Sequence, residues 1–396
     1  MFEQFNSKSM KTIKLLFTSL IGLTIAQISF AQDANYILNK VSSKLASLQS
    51  LKYHYKRELN YFKDNYFSKS ESECYLEFNG KSISGFQFIS KDVSQFFNGN
   101  EYFLLDHNKR TYELTPHPSQ QMFTRLSYLY NAIPTLRNSL PGILSDDSIK
   151  KQAGDTSIGN KYFKLLKLSM KSKTIEYPTG LSSFSQPIEI YYTLIVDMAT
   201  WMPLEVIQRN NINPKDFTRV TFTAIDTKPT RPKQSTWQFT SYLTDYKPKE
   251  KEASKRLIAV GDILDNWNLP EYSSQSTTHI FRSDSLKGKL VLLDFWIKNC
   301  GYCMESFAHL KTLQNNYGKQ VQIVSINACD PMSDVEFFYK REKPGYKMLY
   351  DGRTLAQKLG VESRGYPTVV ITKNDKVIYA GNFENDAIEK VLKANL

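Results

Sequence analysis

The chain has 396 residues, 41% of them hydrophobic and 23% charged, an ordinary balance for a folded protein of two or three domains. Its net charge is +12, but outside the segment 247–256 the basic residues are scattered, which argues against a nucleic-acid partner. Only 4 cysteines occur, too few for a disulfide-stapled scaffold, so the fold has to rest on hydrophobic cores.

The first 31 residues have the layout of a secretory signal peptide. Lysines at positions 8, 11 and 14 precede an apolar run from Leu15 to about Ile28, and Ser29 and Ala31 are the small residues of a cleavage site. The run is short for a membrane-spanning helix, and no cysteine follows it that could carry a lipid anchor. We therefore expect residues 1–31 to be removed and the protein to be exported, soluble in a bacterial periplasm or secreted.

Residues 32–246 are predicted to form an antiparallel β domain. The segment opens with a helix, in which apolar residues recur at spacings of three and four from Ile37 to Leu48. Many short alternating runs bounded by Gly, Asn, Asp or Pro follow. Asn98 and Gly99 lie between two aromatic runs, a pattern typical of a hairpin. Together these features predict a large curved antiparallel sheet with one or a few helices against it.

This part of the chain resembles a known family. A helix followed by meandering strands, with the sequence IVDMATWMPLEVI late in the sheet, is similar to the lipoprotein-sorting (LolA-like) carriers of the bacterial periplasm. Those carriers are half-open β-barrels that shelter acyl chains beneath helices. The resemblance covers about 33–246 and is one of strand rhythm. It implies a half-open barrel and a hydrophobic ligand, but it identifies no ligand residue.

A change of periodicity marks a second domain. The charged stretch 247–256 is typical of a solvated linker. From residue 257 to the end, short apolar strands alternate with amphipathic helices. Such alternation predicts an α/β sheet with helices on both faces.

Two of the cysteines, Cys300 and Cys303, stand where a predicted strand runs into a predicted helix. Unpaired N–H groups and the macrodipole at a helix N-terminus favour a thiolate over a thiol. The pair is therefore a candidate redox centre, in which Cys300 attacks a disulfide and Cys303 resolves the mixed disulfide. A static disulfide is one alternative. Half of a zinc site is another, although the remaining cysteines and histidines show no paired spacing.

The residues around the pair resemble the thioredoxin superfamily, in which a strand ending in Asp-Phe-Trp leads into the active-site loop, as 294–296 does here. The opening AVGDILDNWNLP and an extra β–α unit are most similar to the TlpA/ResA branch of exported thioredoxin-like proteins. The resemblance covers about 257–396. It implies a thioredoxin-like domain with thiol–disulfide oxidoreductase activity, no metal, and no cofactor beyond the redox-active Cys300–Cys303 disulfide.

The same resemblance implies roles for further residues. Asp294 would be buried behind the pair and take the proton of Cys303 when that thiol has to attack. Pro367 would follow a cis peptide bond, face the dithiol and present backbone to the substrate, with the bulky Tyr366 narrowing what binds.

The active-site loop also departs from the family. Asn299 replaces the usual Trp, so the loop is more polar. Tyr302 follows Gly301 where Gly-Pro is commoner; Gly-Tyr is the dipeptide of DsbC-type disulfide isomerases and predicts a more flexible, more oxidising pair. We therefore place both residues on the substrate-binding surface. Cys74 and Cys329 are more typical of small buried hydrophobes than of redox thiols. A third redox thiol is the alternative for Cys329, because it follows a predicted strand near the same face.

Taken together, the sequence predicts an exported thiol–disulfide oxidoreductase that exchanges disulfides with client proteins and with a membrane or periplasmic redox partner. A second interpretation is a lipid- or hydrophobic-peptide-binding protein in which the thioredoxin-like domain is secondary. A third is a disulfide isomerase, which needs two dithiol sites and therefore a dimer. The direction of electron flow depends on the reduction potential, which the sequence does not determine.

Overall fold

The computed structural model describes residues 34–80, 82–184, 186–250, 255–273 and 279–396. The predicted signal peptide, 1–31, and part of the predicted linker, 251–254, lie outside these residues. The chain divides near residue 250 into two compact units, one with most residues up to Lys249 and the other with most residues from Glu250. In the described ranges, no helix has the length and apolar character needed to cross a bilayer.

The first unit is rich in β-strands. Helix α1 (34–46) comes first. The elements that follow are β1 (Ser50–Tyr61), β2 (Tyr66–Asn79), β3 (Ser82–Ile89), β4 (Val93–Phe97), β5 (Glu101–Asp106), β6 (Thr111–Pro116), α2 (Gln120–Phe123), α3 (Ile133–Ser145), β7 (Lys150–Ile158), β8 (Lys161–Lys171), β9 (Lys173–Thr174), β10 (Ser182–Ser183), β11 (Glu189–Val196), β12 (Pro203–Asn210), β13 (Phe217–Asp226) and β14 (Lys247–Pro248).

Twelve of these strands form one sheet, in the order β14-β6-β5-β4-β3-β2-β1-β13-β12-β11-β8-β7, while β9 and β10 pair separately. Neighbours such as β1 and β13 or β11 and β12 are antiparallel, and β14 pairs with β6 in parallel. Lys247 and Pro248, which the sequence assigned to the linker, therefore belong to this sheet. The predicted antiparallel β domain is confirmed, and its half-open barrel shape stays a prediction.

One face of this sheet packs against helices. Ile37, Val41 and Leu45 of α1 are fully buried, in agreement with their helical spacing. They share a core with alternate strand residues such as Tyr53 and Tyr55. Many aromatic residues of this unit are buried and fill its core, each burial contributing about 1.5–3 kcal/mol.

The second unit alternates strands and helices. Its elements are β15 (Asn268–Glu271), β16 (His279–Arg282), β17 (Leu290–Trp296), α4 (Gly301–Tyr317), β18 (Val321–Asn327), α5 (Met332–Glu342), β19 (Lys347–Leu349), α6 (Arg353–Lys358), α7 (Val361–Arg364), β20 (Thr368–Lys373), β21 (Lys376–Asn382) and α8 (Asn385–Lys393). The strands form a seven-stranded sheet in the order β16-β15-β19-β18-β17-β20-β21.

Strand β17 is an inner strand of this sheet and lies between β18 and β20. It pairs in parallel with β18 and antiparallel with β20. All of its residues are buried, because alternate side chains enter two cores on opposite faces of the sheet. Helices α6 and α7 contribute to one core, and α4, α5 and α8 contribute to the other. The predicted α/β sheet with helices on both faces is confirmed.

Candidate active site

The two cysteines of the Cys-x-x-Cys sequence form a disulfide at the start of α4, with their Cα atoms 5.1 Å apart. Cys300 is the N-cap residue, and its Sγ accepts a hydrogen bond from the backbone N–H of Cys303 at 3.2 Å. Cys303 is fully buried, whereas Cys300 is partly exposed. An incoming thiol or disulfide can therefore reach Cys300 and cannot reach Cys303 directly.

Helix α4 gives this position its electrostatic character. The helix has 17 residues, and its first turn contains no acidic residue that would oppose a negative charge on sulfur. After reduction, a Cys300 thiolate would receive the Cys303 N–H and the positive end of the helix macrodipole. Both effects lower the pKa of a thiol in such a position and make it a better nucleophile at neutral pH.

The loop before β20 lies against the disulfide. The Tyr366–Pro367 peptide bond is cis, and the carbonyl oxygen of Tyr366 lies 3.5 Å from Cys300 Sγ. The next residue, Thr368, starts β20 and pairs with Phe295 of β17. Antiparallel pairing between the two strands therefore holds the loop beside the cysteines. The Tyr366 side chain is half-buried, and this burial raises the pKa of its phenol to about 12.

Asp294 lies on β17 and is completely buried. Strand alternation places its side chain on the same face as Leu292 and Trp296, which pack in one core with Cys303. Burial raises the pKa of Asp294 to about 7, and a hydrogen bond from the Ser325 hydroxyl at 3.3 Å acts in the opposite direction. A carboxyl group with this pKa can accept and return a proton near neutral pH.

A second carboxylate fixes the active-site loop. Asp330, in the turn after β18, accepts hydrogen bonds through Oδ2 from the Lys298 backbone N–H at 2.5 Å and from the Asn327 amide at 2.7 Å. The ammonium of Lys298 forms an ion pair with Asp334 at 2.7 Å, and both side chains are largely buried. The backbone two residues before Cys300 is thus tied to the neighbouring strand end.

Asp330 and Ser325 were not among the site residues predicted from the sequence. A signal was present, because β17 and β18 were both predicted as strands of an α/β sheet, and the carboxyl ends of parallel strands meet at one edge. Polar residues directly after the second strand, such as Asp330, therefore belong beside the loop that follows the first. Ser325 lies within a strand, where a serine carries no comparable signal.

The two unusual loop residues are at the surface. Asn299 is exposed and has a φ of 65°, in the left-handed region that asparagine tolerates better than bulky residues do. This conformation gives a physical reason for an asparagine at this position. Tyr302, in the first turn of α4, is 72% exposed. Both side chains are available to a partner that approaches Cys300.

The remaining cysteines are free. Cys74 is fully buried on β2, as expected, and burial raises the pKa of its thiol. Cys329 is exposed, so its interpretation as a buried hydrophobe is wrong. It follows β18 directly, where the chain leaves the sheet, and it lines a cavity of about 400 Å³ with Met332 and Arg353. A hydrogen bond to Cys329 is the main cause that raises the pKa of the Arg353 guanidinium.

The sheet, the disulfide at a helix N-terminus, the cis-proline loop and the buried carboxyl group define a thiol–disulfide oxidoreductase centre of the thioredoxin type. The sequence profile of the Redoxin family matches residues 260–396, and this part of the chain is a Redoxin domain. The family resemblance inferred from the sequence is thereby confirmed for the second unit.

Individual proteins also match only a quarter to about a third of the chain. Thioredoxin C-2 of Corynebacterium nephridii is 29% identical over 100 residues, 25% of this chain and 93% of that protein. Among solved structures, a putative thiol:disulfide interchange protein DsbE from Chlorobium tepidum is 24% identical and covers 35% of this chain and 97% of its own, with a TM-score of 0.31. The thioredoxin domain of a thiol-disulfide oxidoreductase from Bacteroides vulgatus is 16% identical and covers 35% and 98%, with a TM-score of 0.30.

Proposed function

We propose that the protein is an exported thiol–disulfide oxidoreductase that exchanges disulfides with client proteins through Cys300 and Cys303. The observation that carries this proposal is the unequal exposure of the pair. Cys300 is reachable and stands at a helix N-terminus, whereas Cys303 is buried behind it. An attacking thiol and a protected resolving thiol are what stepwise disulfide exchange requires.

In the reducing direction, the Cys300 thiolate attacks a client disulfide. A bond forms between Cys300 Sγ and one client sulfur, and the other client sulfur leaves as a thiolate. Cys303 then gives its proton to Asp294 and attacks Cys300 Sγ. The Cys300–Cys303 disulfide forms, the second client thiolate leaves, and the client has gained two electrons. The same steps in reverse oxidise a client dithiol.

The remaining site residues have supporting roles in this proposal. The Tyr366–Pro367 backbone, beside Cys300 Sγ, offers polar groups to an extended client segment. Asn299 and Tyr302 are exposed next to the same sulfur and would contact whatever the client presents there. No cofactor beyond the disulfide takes part in these steps. A membrane or periplasmic redox partner would restore the starting oxidation state of the pair.

The test compares reduction of a disulfide-bonded model protein, insulin, by the purified protein and its variants in the presence of dithiothreitol. Cys300→Ala should reduce the rate to that of dithiothreitol alone. Cys329→Ala serves as the control and should keep the wild-type rate, because that thiol lies outside the proposed steps. Full activity of Cys300→Ala would refute the proposal. An isomerase function would in addition require a dimer and refolding of scrambled disulfides.

A cavity in the first unit favours a second candidate function. It has a volume of about 880 Å³ and is lined mainly by apolar groups, including Ile195, Met202 and Phe222. This size and lining suit a drug-sized hydrophobic molecule. We propose that the first unit binds an acyl chain or a hydrophobic peptide there, which would recruit the client.

Fluorescence of a fatty-acid analogue, cis-parinaric acid, tests the second candidate. Thr223→Trp, in the wall of the cavity, should weaken binding at least tenfold. Thr115→Trp on β6, several strands away in the sheet, should leave binding unchanged. Absence of probe binding to the wild-type protein, or equal binding by both variants, would remove this candidate.

A further inference from the structure

Two polar residues of the core beside Cys303, Tyr346 and Asp294, are buried, and of these only Asp294 has a role in the steps above. Tyr346 is 6% exposed and Asp294 is 0% exposed. Among the described residues, the Tyr346 hydroxyl and Asp294 Oδ1 have no hydrogen-bond partner. An unpaired buried polar group costs about 1–3 kcal/mol, so several such groups in one core require an explanation.

The strand register places Tyr346 and Asp294 on the same side of the sheet. Asp294 pairs with Ser325 of β18, and Ser325 pairs with Met348 of β19. Tyr346 lies two residues before Met348, and both side chains belong to the core that contains Cys303. The two residues are thus two strand spacings apart across the sheet and two residues apart along it, about 12 Å between backbones, and their side chains extend into the same core.

The Asp294 carboxyl also acts electrostatically on Tyr346. Burial is the main cause that raises the pKa of Tyr346, and the carboxyl of Asp294 is the next. From α5, Glu342 also acts on Tyr346, but its charge is balanced by Lys311 at 2.7 Å and Arg341 at 2.6 Å. From β18, the uncharged Ser325 donates to the other Asp294 oxygen. On α4, the ionisable side chain that is buried in this core is that of Cys303.

Trp296 offers a competing donor, because its indole N–H is also without a partner in the described part of the chain. Its ring, however, packs edge-on against Phe307 at 5.0 Å and Phe338 at 5.2 Å between ring centres. These contacts hold the indole against helices α4 and α5. The phenol of Tyr346 has no ring partner of this kind among the described aromatic pairs.

Given the oxidoreductase function proposed above, we propose that Tyr346 is a positioning residue of the resolving step, whose hydroxyl donates a hydrogen bond to the Asp294 carboxylate in the reduced protein, directly or through one water. The carboxylate then takes the Cys303 proton, and the Cys303 thiolate attacks Cys300 Sγ of the mixed disulfide. The S–S bond to Cys300 forms as the client thiolate leaves.

This arrangement has a measurable consequence for pH dependence. A donor to the carboxylate favours its ionised form, so loss of the Tyr346 hydroxyl should raise the pKa of Asp294 further. Because Cys303 needs the ionised carboxylate as its base, the rate of the resolving step rises with pH through that pKa. In Tyr346→Phe the rising limb should move upward by about one pH unit, since hydrogen bonds to charged groups are of that strength.

The experiment isolates the resolving step by stopped-flow mixing of the fully reduced protein with excess Ellman's reagent, in a Cys329→Ala background. Attack of Cys300 releases one thionitrobenzoate, and attack of Cys303 on the resulting mixed disulfide releases a second. The rate of the second release is measured from pH 5 to 9. We expect Tyr346→Phe to be about tenfold slower below pH 7 and to converge on the parent rate near pH 9.

Three comparisons make the result specific. Tyr339→Phe, a tyrosine of α5 that packs on Tyr272, is the matched control and should leave the profile unchanged. Asp294→Asn should remove the rising limb, and adding Tyr346→Phe to it should cause no further shift. Ring packing alone predicts instead an equal change at every pH. Tyr346→Leu provides a second variant without the hydroxyl if Tyr346→Phe does not fold.

The outcomes separate this inference from the function on which it rests. Absence of both release phases in the parent protein would contradict the oxidoreductase function itself. Two normal phases with an unshifted profile in Tyr346→Phe would overturn the role of Tyr346 and leave that function intact. A shift in Trp296→Phe but not in Tyr346→Phe would assign the donor to Trp296 and would equally overturn the proposal.

Discussion

Asp294 and Ser325 occupy paired positions on two parallel central strands, and the Ser325 hydroxyl donates a hydrogen bond to one oxygen of the buried carboxyl at 3.3 Å. This one hydrogen bond does not compensate for complete burial, and the pKa of Asp294 is raised to about 7. The folded protein thus keeps an ionisable group where its charged form is costly. Such a group is useful for proton transfer and unfavourable for stability.

Asp294→Asn should therefore stabilise the protein in a pH-dependent way. The folded-state pKa lies above the unfolded one, so wild-type stability falls as pH rises from about 4 to about 7, and the full penalty is present above that range. The variant lacks the ionisation, and its gain over wild type should be larger at pH 8 than at pH 5, by at most about 3 kcal/mol, because part of the penalty is already present at pH 5. Urea unfolding of the oxidised proteins at both pH values measures this difference. A gain that is equal at the two pH values would contradict it.

Serine substitutions of the two cysteines should have different effects. In Cys303→Ser the exposed Cys300 can still attack a client, but nothing resolves the product, so a mixed disulfide should accumulate. In Cys300→Ser the remaining thiol, Cys303, is fully buried and should form almost no mixed disulfide with the client. Non-reducing electrophoresis after incubation with an oxidised model protein distinguishes the two. Equal trapping by both variants would reverse the assigned order of attack.

The cysteines and Asp294 were predicted from one continuous stretch of sequence, whereas Tyr366 and Pro367 were placed beside them only by the family resemblance. Cys300 and Cys303 stand at a strand–helix junction that alternating apolar patterns identify, and the burial of Asp294 follows from its apolar neighbours on β17. Asp330 comes from the turn after β18, which parallel strand pairing brings beside the loop, and Tyr346 precedes β19 in the core that contains Cys303. Periodicity shows that such strands exist, but it does not give their order in the sheet, so the sequence offers Asp330 only as a polar residue after a neighbouring strand and offers no signal for Tyr346.

The first unit illustrates the same limit on a larger scale. Turn residues and alternation predicted its antiparallel strands, because both signals are local. The twelve-strand order, in which β1 lies beside β13, depends on pairing across most of the unit. For the same reason, the sequence did not predict that Lys247 and Pro248 form a parallel edge strand. A charged segment contains no pattern that identifies the strand with which it pairs.

Ellman's reagent should separate the four cysteines by accessibility. In the native oxidised protein only Cys329 is both free and exposed, so one equivalent should react rapidly. Cys74 is buried, and burial also raises the pKa of its thiol, so it should react only after denaturation. Reduction before denaturation should add the Cys300–Cys303 pair, for four equivalents in total. More than one rapid equivalent in the native oxidised protein would contradict this order.

Asp330→Asn should slow the attack of Cys300 without unfolding the domain. The Asp330 carboxylate oxygen accepts from both the Lys298 backbone N–H and the Asn327 amide, and an asparagine in its place presents one oxygen and loses the charge. Charge-assisted hydrogen bonds contribute about 1.5–3 kcal/mol, so the loop that carries Cys300 should become less well fixed. We expect the first thionitrobenzoate release to slow about tenfold, with a modest loss of thermal stability. Asp284→Asn, an exposed aspartate before β17, is the matched control and should change neither quantity. An unchanged first-release rate in Asp330→Asn would show that the loop holds its conformation without this carboxylate.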